Sequence, residues 1–336
     1  MRPLILDLHS VELQAEEKEI LSHPLVAGII LFTRNFVDVK QLKELVQQIR
    51  FYARNEILIG VDHEGGRVQR FRAGFTELPS AGTLLEFNKL EEAKNLAFTS
   101  AWVMASELIA CDIDMSFAPV VDLNGISDVI QKRAFSSSVD STTLLAEAYI
   151  KGMKAAGMCS TGKHFPGHGS VKADSHIDLP VDNRPKVDIF NKDILPFSQL
   201  IQRGLLDAVM PSHVVYQQCD DLPAGFSCYW LQQVLRQQLN FNGVIISDDL
   251  SMHGASFAGN HLSRAINAIN AGCDLILACN DSKGAISIMD NLNVPKQRES
   301  VVNKLRYTHN QIAFPLHKNP IWIENSQKLK RFAERL

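Results

Sequence analysis

Apolar residues along the chain gather in eight short runs, each closing on a polar residue: Leu4–His9, Ala27–Arg34, Ile57–Asp62, Phe117–Asp122, Cys159–His164, Asp207–His213, Val244–Asp249 and Leu275–Asn280. Continuous apolar runs of this length, without strict alternation, predict parallel strands covered on both faces. Between several of them lie segments with helical spacing. In Glu92–Leu108 the residues Ala93, Leu96, Ala97, Ser100 and Val103 share a face, and Leu144–Ala156, Ser227–Leu239 and Ser263–Ala271 read the same way. Gly157 and Gly272 follow two of these segments, where helices commonly end. Strand-then-helix order around eight strands predicts an α/β fold, a closed (β/α)₈ barrel of the TIM type. Nothing resembling a linker or an internal repeat divides the 336 residues, and the polar stretch from Asn319 reads as a last amphipathic helix. One domain over 1–336 is therefore expected.

In such barrels the working face lies at the carboxyl ends of the strands. Asp7, Asp62, Asp122, His164, His213, Asp248 and Asn280 all fall there. Strands that merely end at the surface explain any one of these polar residues. Seven on one mouth point to a site.

Composition narrows what that site handles. A net charge of -3 with no Lys/Arg block gives no grip on phosphate backbones, so nucleic acid is not an expected partner and a small neutral ligand is. The N-terminus meets Asp7 after a very short apolar run and then Glu16-Glu17-Lys18-Glu19, unlike a secretory leader, and no apolar run approaches a membrane span. Six scattered cysteines without CxxC spacing fit a reducing cytoplasm. A monomer is the simpler expectation.

Three segments carry chemistry. In Lys163-His164-Phe165-Pro166-Gly167-His168-Gly169-Ser170, followed by Asp174-Ser175-His176, a strand end leads into a glycine-containing loop too long for a plain connector. Asp174 and His176, two apart, can form a carboxylate–imidazole pair fit for general acid–base work, or His176 is simply solvated. His164, His168, His176 and Asp174 are also zinc-ligand types, but their spacing matches no strict metal signature. In Val61–Arg70, Asp62 ends a strand, two glycines turn the chain, and arginines follow: a charge-held carboxylate suited to sugar hydroxyls, or a surface ion pair. In Gly243–Met252, Asp248 and Asp249 end an apolar strand, and strict alternation allows only one of them into the mouth, as nucleophile, base or helix cap.

These motifs resemble glycoside hydrolase family 3, and within it the compact cytoplasmic β-N-acetylglucosaminidases of bacterial cell-wall recycling. The resemblance rests on Gly60–Phe71, Gly162–Gly169, Ser247–Met252 and the opening Ala27–Asn35, in family order, and spans Leu4 to about Asn280. It implies a retaining double displacement on terminal β-linked N-acetylglucosamine. Asp248 is then the nucleophile, His176 the acid and base with Asp174 as its partner, and Asp62, Arg70, Arg133, Lys163 and His164 bind the sugar. No metal or organic cofactor is implied. Departures from the family pattern are His63 where glutamine is common, Lys132 and Ala134 beside Arg133, and Ser170 where some relatives carry an acid. A phosphorylase using the same Asp and His, a non-catalytic sugar-binding barrel and a metal-dependent hydrolase are the competing readings.

Overall fold

Seven of the eight expected runs supply strands of one parallel eight-stranded sheet in the structure, a computed structural model that describes residues 2–172, 179–294, 301–308 and 315–335. The strands are β1 (Leu4–Asp7), β2 (Val26–Leu31), β3 (Leu58–Val61), β4 (Met115–Ser116), β5 (Thr161–Phe165), β6 (Ala208–Pro211), β7 (Val244–Asp249) and β8 (Leu275–Ala278). Their hydrogen-bonded order runs β4-β3-β2-β1-β8-β7-β6-β5, with every neighbour parallel. The two outer strands then meet. Val121 N–H donates to Lys163 O and Thr161 N–H to Ala118 O, both at 2.7 Å, which closes the barrel.

The fourth strand departs from the expected Phe117–Asp122. Its ladder to β3 is confined to Met115–Ser116, while residues 118–121 turn to pair with β5. Pro119 sits inside this run and has no N–H to offer a ladder, so the apolar stretch is spent on the seam rather than on a regular strand.

Alternation within each strand divides the core into two layers. Ile5, Ile30, Leu58, Met115, Met210, Ile246 and Leu277 fill the barrel interior, whereas Leu4, Leu6, Ile29, Ile59 and Ile276 face the surrounding helices. The expected helices are present at Leu90–Ile109, Val139–Ala156 and His261–Ala271, and Gly157 (φ +96°) ends the second of these in the left-handed conformation. The segment Tyr229–Gln238 is helical with widened turns. The last helix, Pro320–Ala333, begins where expected, with Asn319 Oδ1 accepting from the Ile321 N–H at 2.9 Å.

Glu107, on the Leu90–Ile109 helix, ties that last helix to the loop after β3. Its carboxyl accepts from the Thr76 N–H (3.0 Å), the Thr76 hydroxyl (2.5 Å) and the Trp322 indole N–H (3.0 Å). Burial pushes its pKa up to about 7, against these donors. Between the ordinary 4.5 and about 7 the folded chain holds a proton that the unfolded chain has released, so stability falls as pH rises through that window. Unfolding free energies from urea titrations at about pH 5 and about pH 8 are expected to differ by roughly 2–3 kcal/mol through this group. Glu107→Gln is expected to flatten the difference, and an unchanged pH dependence in that variant would contradict the assignment.

Candidate active site

The carboxyl ends of the strands surround a cavity of about 250 Å³ with an apolar floor of Ile30, Phe117, Met210 and Leu277. Asp62, Arg70, Arg133, Lys163, His164 and Asp248 all border it. Asp174 and His176 lie outside the described residues.

Charge in the cavity is arranged as a chain of alternating sign. Lys163 Nζ lies 2.8 Å from Asp62 Oδ1 and 2.7 Å from Glu64 Oε1. Arg133 grips both oxygens of Glu64 in a fork, at 2.9 and 2.7 Å, and Arg70 approaches Asp62 Oδ2 at 3.4 Å. The order is therefore Arg70, Asp62, Lys163, Glu64, Arg133. A tight reversal makes it possible. His63–Gly65 pairs antiparallel with Val68–Gln69 and returns Arg70 beside Asp62. Gly66 (φ +55°) must be glycine, since a Cβ there would stand 1.9 Å from the Ser80 hydroxyl.

Burial alone would raise the Asp62 and Glu64 carboxyls. Lys163 with Arg70, and Arg133 with Lys163, overcome it and hold both below the ordinary carboxylate range. Burial likewise pulls on the Lys163 ammonium, and Asp62 and Glu64 more than offset it, so the chain stays fully charged at neutral pH. Glu64 was absent from the candidate residues. The available signal was its spacing: two positions past Asp62 on an extended segment, it shares a face with that acid.

His164 is oriented from behind. Its Nδ1 lies 2.7 Å from Asp122 Oδ2, and Asp122, fully buried, also accepts from the backbone N–H groups of His164 and His168. An Nδ1–H donated to that carboxylate leaves Nε2 as the nitrogen available to a ligand.

Strict alternation at the end of β7 does not hold. A register shift between Ile246 and Asp249 breaks the pleat, and both Asp248 and Asp249 border the cavity. Their surroundings differ. Asp249 is tied down by the Ser251 N–H and hydroxyl, the Cys279 N–H and the Asn280 amide, and burial raises its pKa. Asp248 Oδ1 accepts from the Asp249 N–H at 2.8 Å. His213 stacks on Phe226 with ring centroids 5.4 Å apart. Burial lowers the pKa of His213 and of His168 and so disfavours their charged forms, with Asp248 pulling both upward in part. Asp7 and Asn280 serve the rim: the Asn280 N–H donates to Asp7, and Arg34 holds the Asn280 side-chain oxygen. Among the described residues no group of three or more His, Cys, Asp or Glu side chains is placed to hold a metal ion.

A closed parallel barrel with a small charged cavity at its carboxyl mouth defines the class of barrel enzymes that act on compact polar molecules. Residues 4–306 match the glycosyl hydrolase family 3 N-terminal domain. The chain is 70% identical over 335 residues, 99% of each chain, to a protein named beta-hexosaminidase from Psychromonas ingrahamii. It is 53% identical over 298 residues to one of the same name from Haemophilus influenzae, covering 89% of this chain and 85% of that one. Among solved structures, NagZ from Neisseria gonorrhoeae in complex with N-trifluoroacetyl-D-glucosamine superposes with a TM-score of 0.91 at 39% identity, covering 98% of each chain. The chain belongs to glycosyl hydrolase family 3, a family of hydrolases. No helix among the described residues is long and apolar enough to cross a membrane.

Proposed function

We propose that this chain is a retaining exo-β-N-acetylglucosaminidase that removes terminal β-linked N-acetylglucosamine from peptidoglycan fragments, N-acetylglucosaminyl-1,6-anhydro-N-acetylmuramic acid with or without its peptide. The observation that carries the reading is the convergence on one small cavity of Asp248 with Arg70, Asp62, Lys163 and Arg133, the last two bridged by Glu64. Relatives named beta-hexosaminidase and the amino-sugar derivative bound in the Neisseria gonorrhoeae structure support the sugar class.

In this reading Asp248 attacks the anomeric carbon and forms a covalent glycosyl-enzyme, and its negative charge stabilises the oxocarbenium character that develops on the way. His176 protonates the departing glycosidic oxygen and then takes a proton from the incoming water, with Asp174 supporting the imidazole. Asp62 accepts from ring hydroxyls, while Lys163, Arg70 and Arg133 donate to them. These donors are already charged and held in place, so binding requires little rearrangement. At about 250 Å³ the cavity has room for about one sugar ring, which fits attack at chain ends. The whole chain works as one domain in the cytoplasm, on a small carbohydrate and without a cofactor.

The test is chromophore release from an aryl β-N-acetylglucosaminide, with the anomer of the first-formed sugar read by proton NMR. The expected product is the β-anomer, formed without added phosphate and undiminished by a chelator. An α-anomer first product would overturn retention, phosphate dependence would mark a phosphorylase, and chelator sensitivity would mark a metal-dependent hydrolase.

A further inference from the structure

Both ends of the segment that contains Asp174 and His176 are described, and they converge on one carboxylate. On the entry side, the Ser170 hydroxyl donates to Asp193 Oδ1 at 3.0 Å. Gly167 (φ +144°) presses so close that a Cβ there would stand 2.8 Å from the Asp193 Cβ. On the exit side, Arg184 Nη1 donates to Asp193 Oδ2 at 2.9 Å while its Nε and Nη2 hold Asp182 at 3.0 and 2.7 Å. A second tie runs alongside. Val181–Asp182 pairs with Val215–Tyr216, and the Tyr216 hydroxyl donates to Gly167 O at 2.7 Å.

Asp193 reaches this position from a distorted helix. Across Ile189–Asp193 the helix widens, with the Ile194 N–H bonding to Ile189 O, five residues back, at 3.1 Å. Such a turn sacrifices regular bonding and recurs at functional sites, because the inserted residue redirects the side chains around it. The Asp193 side chain is 2% exposed, shared between the two roots, and does not border the cavity.

We propose that Asp193, acting with Arg184, is a positioning residue for the acid–base histidine: it holds Gly167–Ser170 and Asp182–Arg184, which flank His176 in the sequence, to one point. This rests on the assignment of His176 as the acid and base. Misplacing a catalytic group by about 1 Å can lower its rate roughly a hundredfold. The loss appears only where the group is needed. A sugar leaving group requires protonation as it departs, whereas a strongly acidic phenol does not.

The experiment compares kcat/KM for N,N′-diacetylchitobiose and for a series of aryl β-N-acetylglucosaminides of graded phenol acidity, in the parent protein and in Asp193→Asn, Ser170→Ala and His176→Ala. Inhibition by N-acetylglucosamine is measured in each. Asp193→Asn is expected to lose about tenfold to hundredfold on the disaccharide and under about threefold on the most acidic phenol, with inhibition unchanged. Ser170→Ala, which removes only the entry-side bond, is expected to show the same slope more weakly and covers the case in which Asp193→Asn does not fold. Equal losses on all substrates, weakened inhibition, or no loss at all would overturn the proposal. If His176→Ala itself shows no dependence on the leaving group, the assignment of the acid fails and the role of Asp193 falls with it. If His176→Ala shows the dependence and neither Asp193→Asn nor Ser170→Ala does, only the positioning role is lost.

Discussion

Asp248→Asn is expected to lower kcat/KM on an aryl β-N-acetylglucosaminide by a factor on the order of 10⁴, with a thermal midpoint close to that of the parent. The amide keeps the shape of the side chain but supplies neither a nucleophilic oxygen nor a negative charge opposite the developing positive charge. Both losses fall on the transition state, so kcat should drop while inhibition by N-acetylglucosamine is largely kept. Asp249→Asn separates the two neighbours. Its carboxylate already serves Ser251, Cys279 and Asn280, so its loss should cost stability first and affect turnover through the shape of the rim. Residual activity within tenfold of the parent in Asp248→Asn, or a deeper loss in Asp249→Asn, would move the nucleophile.

The second large effect is expected at Glu64. Glu64→Gln removes one charge from a buried chain and leaves the Lys163 ammonium and the Arg133 guanidinium, 3% and 13% exposed, on either side of a neutral amide. Breaking a buried pair from one side typically costs about 3–5 kcal/mol, because the remaining charge is desolvated without compensation. Urea unfolding should register that loss with an unchanged slope. Inhibition by N-acetylglucosamine should weaken as well, since the amide keeps only one acceptor oxygen and Arg133 loses one of the two fork contacts that aim it. Lys40 and Glu44 provide the contrast: at 3.8 Å, 88% and 58% exposed, the pair is screened by water, and Lys40→Ala should change stability by no more than about 0.5 kcal/mol. A Glu64→Gln variant as stable as the parent would mean that the cations relax to solvent and that the chain is not a rigid unit.

The barrel was legible because the runs that supply its strands are apolar on both faces and close on a polar residue at or just past the strand end, a pattern that buried parallel strands impose. What periodicity does not carry is backbone irregularity. Pro119 moved the fourth run from a ladder to the seam, and the shift between Ile246 and Asp249 turned both acids of Ser247–Met252 towards the cavity. The cations and carboxylates of the site were legible as residue types at strand ends. Their connectivity was not, because Lys163 meets Asp62 and Glu64 across about a hundred positions of sequence. Glu64 was passed over for that reason. Local spacing places it beside Asp62, but only the fold shows that it bridges Lys163 and Arg133.

The seam between β4 and β5 gives the protein an internal indicator of its own assembly. Asp62 and Glu64 come from the half of the chain before that seam, and Lys163 comes from the half after it. A chain halted with the seam open has all its strands but no complete charge chain at the mouth, because the central cation is separated from both of its anions. Turnover in a refolding sample should consequently return no earlier than exchange protection at the Val121, Thr161 and Lys163 amides, and a nick between the halves that lets the seam part would silence the enzyme while leaving most of its helices in place.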